Sequence, residues 1–404
     1  MTERLTIVCF SSQPWEDGMW TNKQHVMSRI SKQHRVLFVN FGNQSPFKFL
    51  ARARAAQPER PLSLRQALQR PAMRRISESL QVLDVWAPTW LNFLPRKHRL
   101  REKLDFEHRV SVVGRFLEAE GIKDAILWVY HPGYGAAVAR LPHRLIVYDC
   151  VDEYTAFPEF RDAKAWIAER ERQLCAVAGV VSCTAPALAE TKEALAPGRT
   201  HLVHNVGDAQ HFEQAMADST RIPADIASLP RPIIGFIGAV SDYKLNTEWL
   251  VQLAKARPAW TLVLVGPTGV ADPGTDVAAL QQLPNVKLLG HRSYDVLPSY
   301  LKGFDVAVIP YRINDYTRAV FPIKFFEFLA SGRPVVVSPL PAVRDYWHAV
   351  RVAETPEAFV AACEAAIADT DPNAQRQRLD LARQNSWDSR VSKLLRLVER
   401  ALGA

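Results

Sequence analysis

Short apolar strands alternating with helical stretches, in two successive series, constrain this chain more than any other feature. Residues 5–10 read as a strand, 22–33 as a helix and 36–40 as a second strand, a β-α-β opening. Further strand-like runs fall at 81–86, 125–130, 145–149, 179–182 and 200–204, with helical patterns between most of them. Such alternation predicts a parallel, doubly wound sheet, because parallel neighbours need a crossover long enough to hold a helix. The pattern breaks across 206–231, a polar stretch ending in Pro230-Arg231-Pro232, and then resumes. Strands at 233–237, 261–265, 286–289, 306–310 and 334–338, with a helix near 247–255, predict a second domain of Rossmann type.

The division that follows is 1–205, a linker 206–231, 232–380, and a terminal helical segment 381–404. The 404 residues suit two medium domains. In the terminal segment Trp387, Val391, Leu394, Leu395 and Val398 recur at helical spacing, so that helix needs a surface to cover, expected on the first domain. With 48% hydrophobic and 23% charged residues, and no apolar run near the roughly eighteen of a membrane-spanning helix, the expectation is a globular protein.

Charge is distributed unevenly. Residues 47–110 hold 14 Lys or Arg against 6 Asp or Glu, an excess equal to the formal +8 of the whole protein. Within this segment Trp90, Phe93 and Leu94 precede Arg96, Lys97 and Arg99, an apolar patch beside a basic cluster that suits anionic lipid. The competing readings are an Arg-rich solvated loop and a nucleic-acid surface; no nucleic-acid-binding module is visible. Cys9, Cys150, Cys175, Cys183 and Cys363 are odd in number and lack C-x-x-C spacing, which suggests buried thiols in a reducing compartment. The N-terminus lacks the apolar core of a signal peptide, so a cytoplasmic protein is expected, peripheral on the inner face of the membrane.

The most informative run is Phe321-Pro322-Ile323-Lys324-Phe325-Phe326-Glu327-Phe328-Leu329-Ala330-Ser331-Gly332. Pro322 and Gly332 punctuate a helix of about ten residues between two strands. Its N-terminus, at Ile323, follows the strand that ends at Pro310-Tyr311, on the carboxyl edge where open α/β sheets bind ligands. Free N–H groups and the helix dipole favour an anion there, and Lys324 adds a full charge. Glu327, one turn on, offers two acceptor oxygens suited to a ribose diol. Gly238, closing the first strand of the second domain, leaves room for a phosphate, and Lys244 follows in the same loop. The candidate donor-binding set is Gly238, Lys244, Tyr311, Ile323, Lys324 and Glu327; taken alone, Lys324 and Glu327 would sooner read as an ordinary i,i+3 ion pair, a preference that the surrounding phosphate-binding elements reverse. Neither G-x-G-x-x-G nor a Walker A sequence is present.

The chain resembles the group 1, family 4-like glycosyltransferases of the GT-B fold. Glu327-Phe328-Leu329-Ala330-Ser331-Gly332-Arg333-Pro334-Val335 matches the later part of their E-x7-E-x-x-A-x-G-x-P-V helix, and His204-Asn205-Val206-Gly207-Asp208 resembles their N-G-V-D hinge. Ser386-Trp387 resembles the start of their returning C-terminal helix. The resemblance implies two Rossmann-like domains facing a cleft, with the nucleotide sugar on the second and the acceptor on the first. Ala319 stands where the first Glu of E-x7-E would fall. A shorter similarity, Val147-Tyr148-Asp149-Cys150-Val151-Asp152-Glu153, is to the inverting glucuronosyltransferases of xanthan-type assembly, and it aligns Asp152 with their catalytic Asp.

Inverting transfer needs a base for the acceptor hydroxyl and positive charge on the departing diphosphate. Asp152, just past a first-domain strand end, is the candidate base, with Asp149 and Glu153 as rivals and His131 as a possible sugar contact. Helix capping is the bland alternative for the three carboxylates. On the leaving-group side stand Lys324, Tyr311 and the helix N-terminus. Trp15 and Trp20 occupy the loop that is glycine-rich in much of the family, where they would stack on sugar or simply pack. Asp369-Thr370-Asp371 has D-x-D spacing in a late interhelical loop, and no catalytic metal or cofactor is expected. The leading expectation is transfer from a nucleotide-diphosphate sugar, UDP-linked, to a polyprenyl-diphosphate-linked glycan acceptor in surface polysaccharide assembly. The alternatives are a retaining enzyme acting on a small soluble acceptor, a nucleotide-sugar 2-epimerase and, last, a nucleic-acid-binding protein.

Overall fold

A computed structural model describes residues 4–16, 20–40, 49, 66, 69–86, 99–270, 272 and 274–403. The chain forms two compact units, one built within 1–156, 160–203 and 391–404, the other within 157–159 and 204–390.

The first unit is organised on an eight-stranded sheet comprising β1 (Thr6–Phe10), β2 (Arg35–Val39), β3 (Ala72–Arg75), β4 (Leu80–Asp84), β5 (Ala125–Val129), β6 (His143–Cys150), β7 (Val180–Cys183) and β8 (Thr200–Leu202). Its order is β3-β4-β2-β1-β5-β6-β7-β8. Every pairing is parallel except β3 with β4. The central strands are continuously apolar because helices cover both faces; β5, AILWV, is buried throughout. Strand order reverses between β1 and β5, which opens a crevice at their carboxyl ends.

Edge strand β3 departs from the all-parallel expectation. Its sequence, Ala-Met-Arg-Arg, carries charge where a strand search looks for apolar alternation, and Arg74 instead pairs with Asp84 of β4 at 2.6 Å. Charged edge strands of this kind resist edge-to-edge association.

The second unit has a six-stranded, wholly parallel sheet comprising β9 (Ile233–Ile237), β10 (Thr261–Val265), β11 (Val286–Gly290), β12 (Val306–Ile309), β13 (Val335–Val337) and β14 (Arg351–Val352), in the order β11-β10-β9-β12-β13-β14. Its switch point lies between β9 and β12. Gly238 and Tyr311, which follow those two strands, therefore flank the crevice where such sheets take ligands.

The stretch 206–231, expected as a linker, is folded into this unit. Phe212, Ala215 and Ile226 are buried, and at roughly 1.5–3 kcal/mol per large apolar side chain that burial outweighs the polar composition around them. The polar residues serve as caps and pairs: Asp208 accepts from the His211 amide, and Asp225 from Arg292 (3.0 Å) and the Tyr300 hydroxyl (2.8 Å). The last helix, Trp387–Gly403, buries Trp387, Val391, Leu394, Leu397 and Val398. From residue 391 it belongs to the first unit, where Leu397 shares a groove with residues 200–203. No helix among the described residues is long and apolar enough to cross a membrane. All five cysteines are buried and free.

Candidate active site

In the second unit the donor residues converge on one helix start. The helix Ile323–Ala330 begins after Pro322, which has no side chain with which to cap it, so the first-turn N–H groups of Ile323 and Lys324 are available to an anion. Gly238, at φ 151°, lets the Lys324 side chain lie against its backbone: a Cβ there would stand 2.0 Å from Lys324 Cε and 3.0 Å from Nζ. Gly266, at φ 147°, passes as closely, for its Cβ would meet the Gly238 carbonyl oxygen at 2.0 Å. Gly266 thus makes room for Gly238, and Gly238 for the lysine.

Lys324 and Glu327 do not form the i,i+3 ion pair that the bare sequence allows; among the described residues Glu327 accepts no hydrogen bond. Glu327 is buried, and burial raises its pKa to about 7, with Lys324 opposing the shift and Asp208 adding to it. Burial lowers the Lys324 pKa, opposed by Glu327. A carboxylate left in this state suits a ligand that supplies hydroxyl donors. Tyr311 is buried beside it, its phenol pushed up by burial and by the neighbouring Tyr243 and Glu327. Lys244 Nζ lies 5.3 Å from the Tyr311 ring centroid, within cation–π range.

The supporting loops are stitched together by backbone. Asn246 N donates to Pro310 O and Arg312 N to Lys244 O, both at 2.8 Å, while Asn314 Nδ2 donates to Tyr243 O at 2.6 Å. The hinge-like segment also braces the donor helix. Asn205 Nδ2 donates to Phe321 O (3.0 Å), and a Cβ on Gly207 would stand 2.7 Å from Glu327 N. His204 stacks on Phe321 at 4.9 Å with its Nε2 2.9 Å from the Tyr346 hydroxyl. The sequence hinted at this brace only through its hinge motif; Phe321 and Tyr346 carried no signal.

In the first unit, Asp152 lies in a bend two residues past β6 and is half-buried. Asp149, its first rival, is fully buried and accepts from Ser182 Oγ at 2.7 Å. Glu153, the second, is held by Lys192 Nζ at 3.1 Å and by the Thr155 amide at 3.2 Å, and its pKa is lowered despite burial, chiefly by Lys192. His131 follows β5 at the switch point. Its Nδ1 accepts from Gly133 N (2.9 Å), its ring meets Tyr154 at 4.6 Å and Phe106 at 4.9 Å, and burial, with Lys23 and Arg109, lowers its pKa to about 3. It is a neutral imidazole at any working pH.

Trp15 is buried against Phe38 (5.1 Å) and Trp20 (5.4 Å), a packing role, while Trp20 remains more than a third exposed. The D-x-D residues are used structurally: Asp369 pairs with Arg378 at 3.3 Å and Asp371 caps the helix Pro372–Gln384. Trp90, Phe93, Leu94, Arg96 and Lys97 lie outside the described residues, and Arg99 opens the helix Arg99–Ala119.

Comparison with known proteins bears on the fold and the class of enzyme. Residues 231–369 match the family model described as glycosyl transferases group 1. A putative teichuronic acid biosynthesis glycosyltransferase, TuaH of Bacillus subtilis (strain 168), is 28% identical over 285 residues, 67% of this chain and 70% of that protein. Sucrose-phosphate synthase from Thermosynechococcus elongatus superposes with a TM-score of 0.72 at 15% identity, covering 99% of this chain and 100% of the other. HepE of Anabaena, solved in complex with UDP, gives 0.64 at 14% identity, covering 98% and 100%. The chain is thus a glycosyltransferase of the GT-B fold.

Proposed function

We propose that the protein moves a sugar from a UDP-linked donor to a polyprenyl-diphosphate-linked glycan at the inner face of the membrane, in surface polysaccharide assembly. The observation that carries the donor assignment is the cradle at the β9/β12 switch point: Gly238, itself accommodated by Gly266, makes room for Lys324 at a bare helix N-terminus, with the Glu327 carboxylate one turn deeper accepting from no described residue. The diphosphate would lie on the N–H groups of Ile323 and Lys324 and the ribose on Glu327, with Lys244 and Tyr311 beside them. Charge developing on the leaving diphosphate would be met by Lys324 and the helix dipole. UDP in HepE supports the choice of nucleotide, and the description of TuaH supports a polysaccharide acceptor.

Inversion with Asp152 as base is favoured by two features. Ala319, where related enzymes carry a carboxylate near the donor sugar, is buried and offers no such group. Of the three carboxylates at the end of β6 and in the turn after it, Asp149 is enclosed in the sheet and Glu153 is committed to Lys192, whereas Asp152 stands half-buried in the bend two residues past the strand. Asp152 would take the hydroxyl proton as the oxygen attacks C1 and UDP departs, without metal or cofactor. Release of UDP from a panel of UDP-glucose, UDP-galactose, UDP-glucuronic acid and UDP-N-acetylglucosamine, with and without a polyprenyl-diphosphate-linked glycan fraction, tests the proposal. Acceptor-dependent release supports it, whereas UDP release that ignores the acceptor, or an epimerised sugar, would replace it.

A further inference from the structure

The loop that carries Asp152 is tied down from three elements, and the tie runs through one buried lysine. Lys192, on the helix Pro186–Glu193, is buried with its ammonium between two carboxylates: Glu153 Oε2 at 3.1 Å and Glu171 Oε2 at 2.9 Å. Glu171, on the helix Lys164–Val177, accepts in turn from the Tyr148 hydroxyl of β6 at 2.6 Å. On the loop side Glu153 accepts from the Thr155 amide, and Ala156 N donates to Glu153 O at 3.0 Å. The other neighbour of Asp152 is fixed as well, since Val151 O accepts from Thr184 Oγ1 at 3.1 Å.

The chemistry of this arrangement is specific. A buried carboxylate and a partly exposed one set this close repel each other unless a cation stands between them. A buried charge is tolerated only when paired and hydrogen-bonded, and removing one partner of such a pair leaves the other uncompensated. Lys192 is therefore the element that lets Glu153 turn inward as an anion and hold the start of the 154–156 turn. Asp152 stands between two anchored residues.

We propose that Lys192 is a positioning residue for transfer: through Glu153 it fixes the 151–156 loop, and so the carboxylate of Asp152, in the orientation that accepts the proton. This rests on the reading of Asp152 as base. Nothing in the chain's motifs points to Lys192, which lies forty residues beyond Asp152.

The test uses the full chain and UDP release with the panel sugar of highest turnover and the polyprenyl-diphosphate-linked fraction. Lys192→Met and Glu153→Gln each lower kcat at least tenfold while the KM for the UDP-sugar changes less than twofold. The double variant is no worse than the poorer single one, because both break the same tie, and Lys192→Arg restores most of the rate. Hydrogen exchange at the Thr155 and Ala156 amides accelerates in Lys192→Met and not in Lys192→Arg. Should Lys192→Met fail to fold, Glu153→Gln, at a partly exposed site, carries the test alone. A folded Glu153→Gln or Lys192→Met with unchanged kcat, or one whose loss lies wholly in donor KM, overturns the proposal. Asp152→Asn in the same assay judges the base assignment separately: an active Asp152→Asn refutes that assignment whatever the Lys192 variants show.

Discussion

Glu327→Gln separates what the donor carboxylate does for binding from what it costs the fold. In the unfolded chain Glu327 ionises near 4.5, whereas in the folded protein its pKa is raised to about 7. Between those values the folded state holds the extra proton, so stability falls as pH rises through the window and is lowest above 7. A shift of this size corresponds to about 3 kcal/mol once the group is fully ionised. Glutamine removes that penalty, which is already net of the Lys324 attraction, but its own amide must be desolvated at a cost of about 1–2 kcal/mol, so the net gain is about 1–2 kcal/mol. For a unit of this size that raises the melting temperature by about 2–8 °C. The gain appears at pH 8 and vanishes near pH 4.5, where the native carboxyl is already protonated. In the same variant UDP binding weakens about 10- to 100-fold, the loss of charge-assisted hydrogen bonds to a ribose diol. Scanning calorimetry at both pH values and titration calorimetry with UDP read the two effects. A variant equally destabilised at both pH values, or one that binds UDP as tightly as the native protein, would refute the reasoning.

Other outcomes follow from the same geometry. Gly238→Ala puts a Cβ against the flexible end of Lys324 at a φ of 151° that side chains rarely adopt, so it weakens UDP binding at least tenfold and lowers the melting temperature; Gly266→Ala, at φ 147°, meets the Gly238 carbonyl and lowers the melting temperature by several degrees more. Calorimetry of the two variants distinguishes them. His131→Asn keeps an acceptor for Gly133 N and removes no titrating group, so the pH–rate profile between 5 and 8 keeps its shape, read from kcat/KM for UDP release. Leu394→Ala leaves a cavity under the last helix and costs about 2–5 kcal/mol, measured by thermal melting.

The parallel strands were legible because fully buried strands are continuous apolar runs, as in β5, β9 and β10. Edge strands β3 and β14 were not, since each is two to four residues long and carries arginine. The donor helix announced itself through Pro322, Lys324 and Glu327, all within one turn or two of its start. Its brace did not, because His204, Phe321 and Tyr346 lie far apart in sequence and meet only through tertiary packing. Lys192 was silent for the same reason: a lysine on a helix reads as solvated until the fold encloses it between Glu153 and Glu171. The stretch 206–231 misled because cap and ion-pair residues have the composition of a linker.

The most direct test is the anomeric configuration of the product made from an α-linked UDP-sugar and the polyprenyl-diphosphate-linked acceptor, read by NMR for the native enzyme and for Asp152→Asn. A β-linked product, with transfer at least about a thousandfold slower in Asp152→Asn and UDP binding unchanged, is the expected result. An α-linked product, or undiminished transfer by Asp152→Asn, would contradict inversion through Asp152.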